Sequence, residues 1–241
     1  MHTQIQKGRI ALPASPSVIS SISAIAHSKG RVHSPSATVA QAEADALFAH
    51  LNGQRVGVMI DGANFYSTRR QLGFVTDYRK LRDLFLRNCA SAEIHYFTAI
   101  NYNSENNNFI KTLTWMMNNG YIVSHKSAKS LRQADGQYML KGNMDVELTT
   151  EAMGLAPDVD HMVLFSGDGD FCRLVTKLQE RGVKVTVISS DTYPAKRCAD
   201  DLKAVSNVYI DIPEFQQAIA TTPVHLDRHS DSYPDRARRA V

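Results

Sequence analysis

Six short apolar segments alternate with stretches of helical spacing, and this alternation limits the fold more than any other feature of the chain. The segments are RVGVMID (55–61), AEIHYFTAI (92–100), YIVSHKSA (121–128), HMVLFSG (161–167), KVTVISS (184–190) and VYIDI (208–212). Between them, residues 77–89 carry Leu81, Leu84, Phe85 and Asn88 at helical spacing behind Asp77, which suits an N-cap. Residues 106–119 carry Phe109, Leu113, Met116 and Met117 and stop at Gly120. Residues 144–156, 170–181 and 195–206 also read as helices. Strands that are apolar on both faces, each followed by a helix, predict an α/β fold in three layers: a central, mainly parallel sheet flanked by helices. In such sheets ligands bind at the carboxyl ends of the strands, where strand order reverses.

The flanks lack this pattern. Residues 1–50 read as a flexible extension with a short helix over 38–50, residues 51–215 as the folded domain, and residues 216–241 as a polar tail expected to be disordered. No run of about 18 apolar residues exists, so no membrane-spanning helix is expected. The N-terminal apolar stretch is too sparse for a signal peptide. Cys89, Cys172 and Cys198 are far apart and odd in number, which argues against a disulfide framework or a cysteine zinc site. A reducing cytoplasm is the expected compartment. The net charge is +3, but the flanks carry the excess: residues 51–215 hold 19 basic and 19 acidic side chains. Any nucleic-acid binding must then come from a local basic rim, not a global field.

Three acidic segments fall at the expected strand ends or helix starts. In IDGANFY, Asp61 closes the first strand and Asn64 follows within reach of the same crevice. In KGNMDVELTTEAM, Asp145 opens a helix and Glu151 lies nearly two turns on. In LFSGDGDF, Ser166, Asp168 and Asp170 follow a strand. Each segment alone also suits a turn or a helix cap. Together they bring several carboxylates to one crevice, where they repel one another unless a cation compensates. A hard ion with oxygen ligands, Mg²⁺ or Mn²⁺, suits such a set, and no His/Cys cluster competes. A phosphatase with its first aspartate at the end of strand one usually has a second two residues later, and here that position is Ala63. No GxGxxG or GxxxxGKS stands at a strand-to-helix turn.

VMIDGANFY, KGNMDVELTTEAM and LFSGDGDF, in that order on a βα pattern, resemble the NYN domain, specifically its LabA-like branch, over about residues 54–213. The resemblance implies a PIN-like fold, an acidic pocket for Mg²⁺ or Mn²⁺, and ribonuclease chemistry on phosphodiesters. It maps the family's acidic positions to Asp61, Asp145 and Asp168 as metal ligands, with Asp170 close behind as a further catalytic carboxylate. Asn64 matches the polar residue of the first motif, and Glu151 stands where many members carry Asp. Asn64, Ser166 and Glu151 are expected to support the ligands, and water is the expected nucleophile.

RNA, single-stranded rather than duplex, is the expected partner, with no membrane association and a homo-oligomer left open. Arg69, Arg70, Lys126, Lys129, Arg132 and Lys141 are candidate phosphate contacts, and Tyr66 and Tyr138 candidate stacking residues. Residues 126–142 form the densest basic segment and suit a mobile flap over the site. The alternative is a non-catalytic RNA-binding or regulatory module that retains the pocket, as LabA-like relatives are associated with regulation. His95 and His161, on strands without partners at ligand spacing, read as core or edge residues.

Overall fold

The computed structural model of the protein describes residues 36–100, 107–132, 138–195 and 197–221, excluding the side chains of residues 107, 129–132 and 138–141. In chain order the helices are α1 (Ala37–Leu47), α2 (Gly62–Gln71), α3 (Tyr78–Asn88), α4 (Asn107–Asn118), α5 (Asp145–Leu155), α6 (Cys172–Gln179), α7 (Asp200–Val205) and α8 (Gln216–Ile219). The strands are β1 (Arg55–Asp61), β2 (Ser91–Ile100), β3 (Tyr121–Ser127), β4 (Lys129–Arg132), β5 (Tyr138–Lys141), β6 (His161–Phe165), β7 (Lys184–Ser189) and β8 (Val208–Asp211).

Six strands form one parallel sheet in the order β3-β2-β1-β6-β7-β8. The chain builds outward from β1 to β3, then returns to the other side of β1 with β6. Strand order therefore reverses between β1 and β6, and the crevice for a ligand opens at their carboxyl ends. Pleating sends alternate side chains to opposite faces. On β1, Val56, Val58 and Ile60 enter a core containing Phe48, Phe85, Phe165 and Phe215. Met59 enters the second core, with Leu148, Leu174 and Val187. Both faces of the sheet are covered, which is why its strands read as apolar runs.

The helix signals act locally as expected. Asp77 caps α3 by accepting from the backbone of Arg79 at 2.9 Å and Lys80 at 3.2 Å. Gly120 and Gly182 sit at φ +86° and +82°, conformations that favour glycine after a helix. Three boundaries differ from the sequence reading. The helix expected over 195–206 is confined to Asp200–Val205, because residues 190–195 and 197–199 are not helical. This stretch is tied down by Arg197 N donating to Ser190 O at 2.8 Å and Ala199 N donating to Gly167 O at 2.9 Å. The basic segment contains an antiparallel hairpin, β4–β5. The folded body also reaches past residues 51–215: Ala44 and Phe48 on one side and Ile219 on the other are fully buried in the first core. Residues 1–35 and 222–241 lie outside the described residues.

At the amino ends of the strands, His161 is 1% exposed and its Nε2 lies 2.8 Å from Thr186 Oγ1. His50 Nε2 shares that hydroxyl at 3.0 Å, and the two rings stand 5.4 Å apart. Burial, aided by the charges of His50 and Lys184, pushes His161 down from its ordinary 6.5 to about 4. Burial also lowers His50. The folded state thus resists protonation that the unfolded chain accepts. The associated stability is complete above about pH 6.5 and is lost as pH falls toward 4, about 3 kcal/mol in all. Urea unfolding midpoints should fall over that window, and His161→Gln should flatten the fall; equal pH profiles for the two proteins would refute it.

Candidate active site

Asp61 ends β1 and caps α2, its Oδ1 accepting from the backbone of Ala63 at 3.1 Å and Asn64 at 3.2 Å. The turn is tight because Gly62 faces the neighbouring strand: a Cβ there would lie 2.7 Å from the Phe97 carbonyl oxygen. Beside it, β6 gives way to Ser166, whose hydroxyl donates to Asp61 Oδ2 at 3.2 Å and accepts from Asp168 N at 3.2 Å. Asn64 Oδ1 accepts from Gly167 N at 3.2 Å and ties the two strand ends together. Asp168 Oδ1 in turn accepts from Asp170 N at 3.0 Å. On the third side, Asn143 precedes α5; its Oδ1 accepts from Asp145 N at 2.7 Å and its Nδ2 donates to Asp145 Oδ2.

These local constraints bring one carboxylate oxygen from each of Asp145, Asp168 and Asp170 to within 4.8 Å of the others. Asp61 lines a cavity of about 430 Å³ together with Asp145 and Asp168. Burial pushes the Asp61 carboxyl up to about 6, and the charge of Asp145 adds to the rise. The hydrogen bonds from Asn64, Ser166 and Ala63 oppose it. A donor set made only of carboxylate oxygens, with a fourth acid whose charge is disfavoured, fits a hard divalent cation such as Mg²⁺ or Mn²⁺.

The grouping differs from the sequence reading in one respect. Asp170, read there as close behind, joins Asp145 and Asp168 in the tight cluster, while Asp61 lies at the pocket outside that trio. Asn64 and Ser166 hydrogen-bond the strand ends as described. Glu151 does not support the site: it is exposed on α5 and does not line the cavity. Six residues past Asp145 leaves it rotated away from the pocket side.

The basic candidates separate in the same way. Arg69 is 6% exposed, with its guanidinium 4.7 Å over the Tyr66 ring, so it is no surface phosphate contact. It follows Phe65 by four residues and shares that buried face of α2, a spacing visible in the sequence. Arg70, one residue on, is exposed and lines the cavity, as does Tyr66. Lys126 pairs with Glu147 at 2.7 Å. The side chains of Lys129, Arg132, Tyr138 and Lys141 lie outside the described residues. The sequence reading missed Arg197, which enters the cavity from the loop after β7, together with Gln71 of α2. The crossover rule was the available signal, since the carboxyl end of β7 adjoins that of β6.

A fully parallel sheet between two helical layers, with an acidic pocket where strand order reverses, defines a PIN-like α/β domain. The model of the NYN domain matches residues 55–213, and the chain belongs to that family, in its LabA-like branch. NYN domains are part of the PIN-like nuclease superfamily. The chain is 27% identical over 173 residues to the Low amplitude and bright protein LabA of Synechococcus elongatus, covering 70% of this chain and 89% of that protein. Among solved structures it resembles a protein of unknown function from Vibrio parahaemolyticus, with a TM-score of 0.53 and 23% identity. That alignment covers 67% of this chain and 94% of the other, and it speaks to the fold alone. Among the described residues, no helix is long and apolar enough to cross a membrane.

Proposed function

We propose that the protein is a ribonuclease that hydrolyses phosphodiester bonds of single-stranded RNA with Mg²⁺ or Mn²⁺. The observation that carries this reading is the approach of Asp145, Asp168 and Asp170 to within 4.8 Å at the strand-order reversal. Asp145 and Asp168 would hold the ion, with Asp61 as a further ligand from the cavity wall. When bound, such an ion supplies a water of lowered pKa and a counter-charge for the scissile phosphate. Asp170 would accept a hydrogen bond from the attacking water. Asn64 N and Ser166 Oγ donate to the Asp61 carboxylate and would keep its oxygens from turning away during reaction.

Water is the nucleophile because the thiols are unsuited to the task. Burial pushes Cys89 and Cys198 up to about 11, and raises Cys172, so all three stay protonated near neutrality.

The test is cleavage of end-labelled single-stranded RNA, with single-stranded DNA in parallel, under Mg²⁺, Mn²⁺ or EDTA. Products should form with either metal and fall to background in EDTA. RNA bound without turnover under any divalent ion would sink the ribonuclease reading and leave a binding module.

A further inference from the structure

The cavity lined by the acids is also lined by two arginines, Arg70 and Arg197. Arg197 is the more informative. Among the described residues no carboxylate lies within ion-pair distance of it, although Asp61, Asp145 and Asp168 line the same cavity. Its guanidinium instead donates to the side-chain oxygen of Gln71, Nη2 lying 2.6 Å from it when the amide nitrogen donates to Pro194 O at 3.1 Å. Arg197 shares its cavity with three carboxylates, yet its side chain hydrogen-bonds a neutral amide.

Its backbone is anchored to the acid-bearing turn. Arg197 N donates to Ser190 O at 2.8 Å, and Ala199 N donates to Gly167 O at 2.9 Å. The Arg197 carbonyl packs so closely on Gly167 that a Cβ there would lie 2.2 Å from its oxygen. Arg197 and Asp168 are therefore tied together through Gly167, and a cation and the acids line one cavity. A phosphodiester carries one negative charge and two non-bridging oxygens, and a guanidinium fork matches that pair of acceptors.

We propose that Arg197, braced by Gln71, holds a phosphodiester oxygen of single-stranded RNA in the cavity that Asp61, Asp145 and Asp168 also line. This rests on the ribonuclease reading for the identity of the substrate, but its contact is a binding contact and is measurable without turnover.

The experiment is fluorescence anisotropy of a labelled single-stranded RNA in EDTA over a salt series, with steady-state cleavage under Mn²⁺ alongside. Arg197→Ala should weaken binding about tenfold and lower the salt slope by about 0.7, the value for one phosphate contact on a single strand. In cleavage it should raise KM more than it lowers kcat. Arg197→Lys should keep the salt slope and lose part of the affinity, because it keeps the charge without the fork. Gln71→Ala should weaken binding less than Arg197→Ala and add nothing to it in the double variant. Arg181→Ala, which removes a cation near the amino end of β7, should change none of these.

If Arg197→Ala and Arg197→Lys both bind and cleave like the wild type, the inference fails and the ribonuclease reading stands. If Arg197→Ala loses affinity and slope while no variant or wild type cleaves, the inference stands and the ribonuclease reading fails. No RNA binding by the wild type at low salt would overturn both.

Discussion

Asp168→Asn should lower divalent-dependent RNA cleavage by about 10³-fold, roughly 4 kcal/mol of transition-state stabilisation. The substitution leaves the fold a usable side chain. An Asn oxygen can still accept the Asp170 backbone bond that Asp168 accepts at 3.0 Å, so the loss reports on the missing charge. Asp61→Asn should lose activity to a similar degree, yet raise the stability of the metal-free protein. The Asp61 carboxyl sits at about 6 in the fold against an ordinary 3.8, chiefly through burial. Its folded value is raised, so its contribution is most favourable below 3.8 and is lost as pH rises through 6. At pH 7 the ionised group costs about 3 kcal/mol before solvent at the cavity mouth screens it. An amide removes that cost and keeps an acceptor for Ala63 and Asn64.

Thermal melting in EDTA should therefore place Asp61→Asn above the wild type at pH 7, with the difference vanishing near pH 4. Added Mg²⁺ or Mn²⁺ should raise the wild-type midpoint and move Asp168→Asn less, since a ligand that binds only the folded state stabilises it. Wild-type cleavage rates in both variants would remove these aspartates from the mechanism. An unchanged wild-type midpoint with metal would remove the ion from the site.

How much of this was legible in the sequence follows from the range over which each feature is determined. The strands and most helices were visible because their causes are local: apolar runs, the Asp77 cap, and glycine at helix ends. The strand-end positions of Asp61, Ser166 and Asp168 followed from the same pattern together with the crossover rule. The exact partnership of the acids did not. Asp170 joins the trio because the backbone turns through Gly169–Phe171 in a single 3-10 turn, and a run of letters does not show that. For Arg197 the crossover rule pointed only to the carboxyl end of β7, and the residue's place there is set at longer range. Its place depends on β7 lying beside β6, on the helix beginning at Asp200 and not at residue 195, and on Gly167 having no side chain. Arg69 is the opposite case, a misreading the sequence could have prevented, since Phe65, Thr68 and Arg69 already mark one buried face of α2.

Gly167→Ala should be the most disruptive single methyl at the site. A Cβ at 167 would lie 2.2 Å from the Arg197 carbonyl oxygen and 2.5 Å from Ser189 Oγ, and the first of these is backbone that cannot rotate aside. Relief requires the turn after β6 to separate from the loop after β7. That breaks the bond from Ala199 N to Gly167 O and disturbs the one from Gly167 N to Asn64 Oδ1. A loss of about 3 kcal/mol is expected from overpacking of this kind. Activity should fall at least a hundredfold in the protein that remains folded, because a shift of about 1 Å between reacting groups is enough for that. Two other glycines supply the contrast. At Gly169 a Cβ would meet only the Ala199 Cβ, at 3.2 Å, and at Gly154 on α5 it would meet nothing within 4 Å. Gly169→Ala should cost little, and Gly154→Ala should stabilise by about 0.5–1 kcal/mol through helix propensity. Urea unfolding and cleavage assays on the three variants test the ordering. A Gly167→Ala protein as stable and active as Gly169→Ala would show that the close approach of the two loops neither holds the fold nor aligns Asp168 with Arg197.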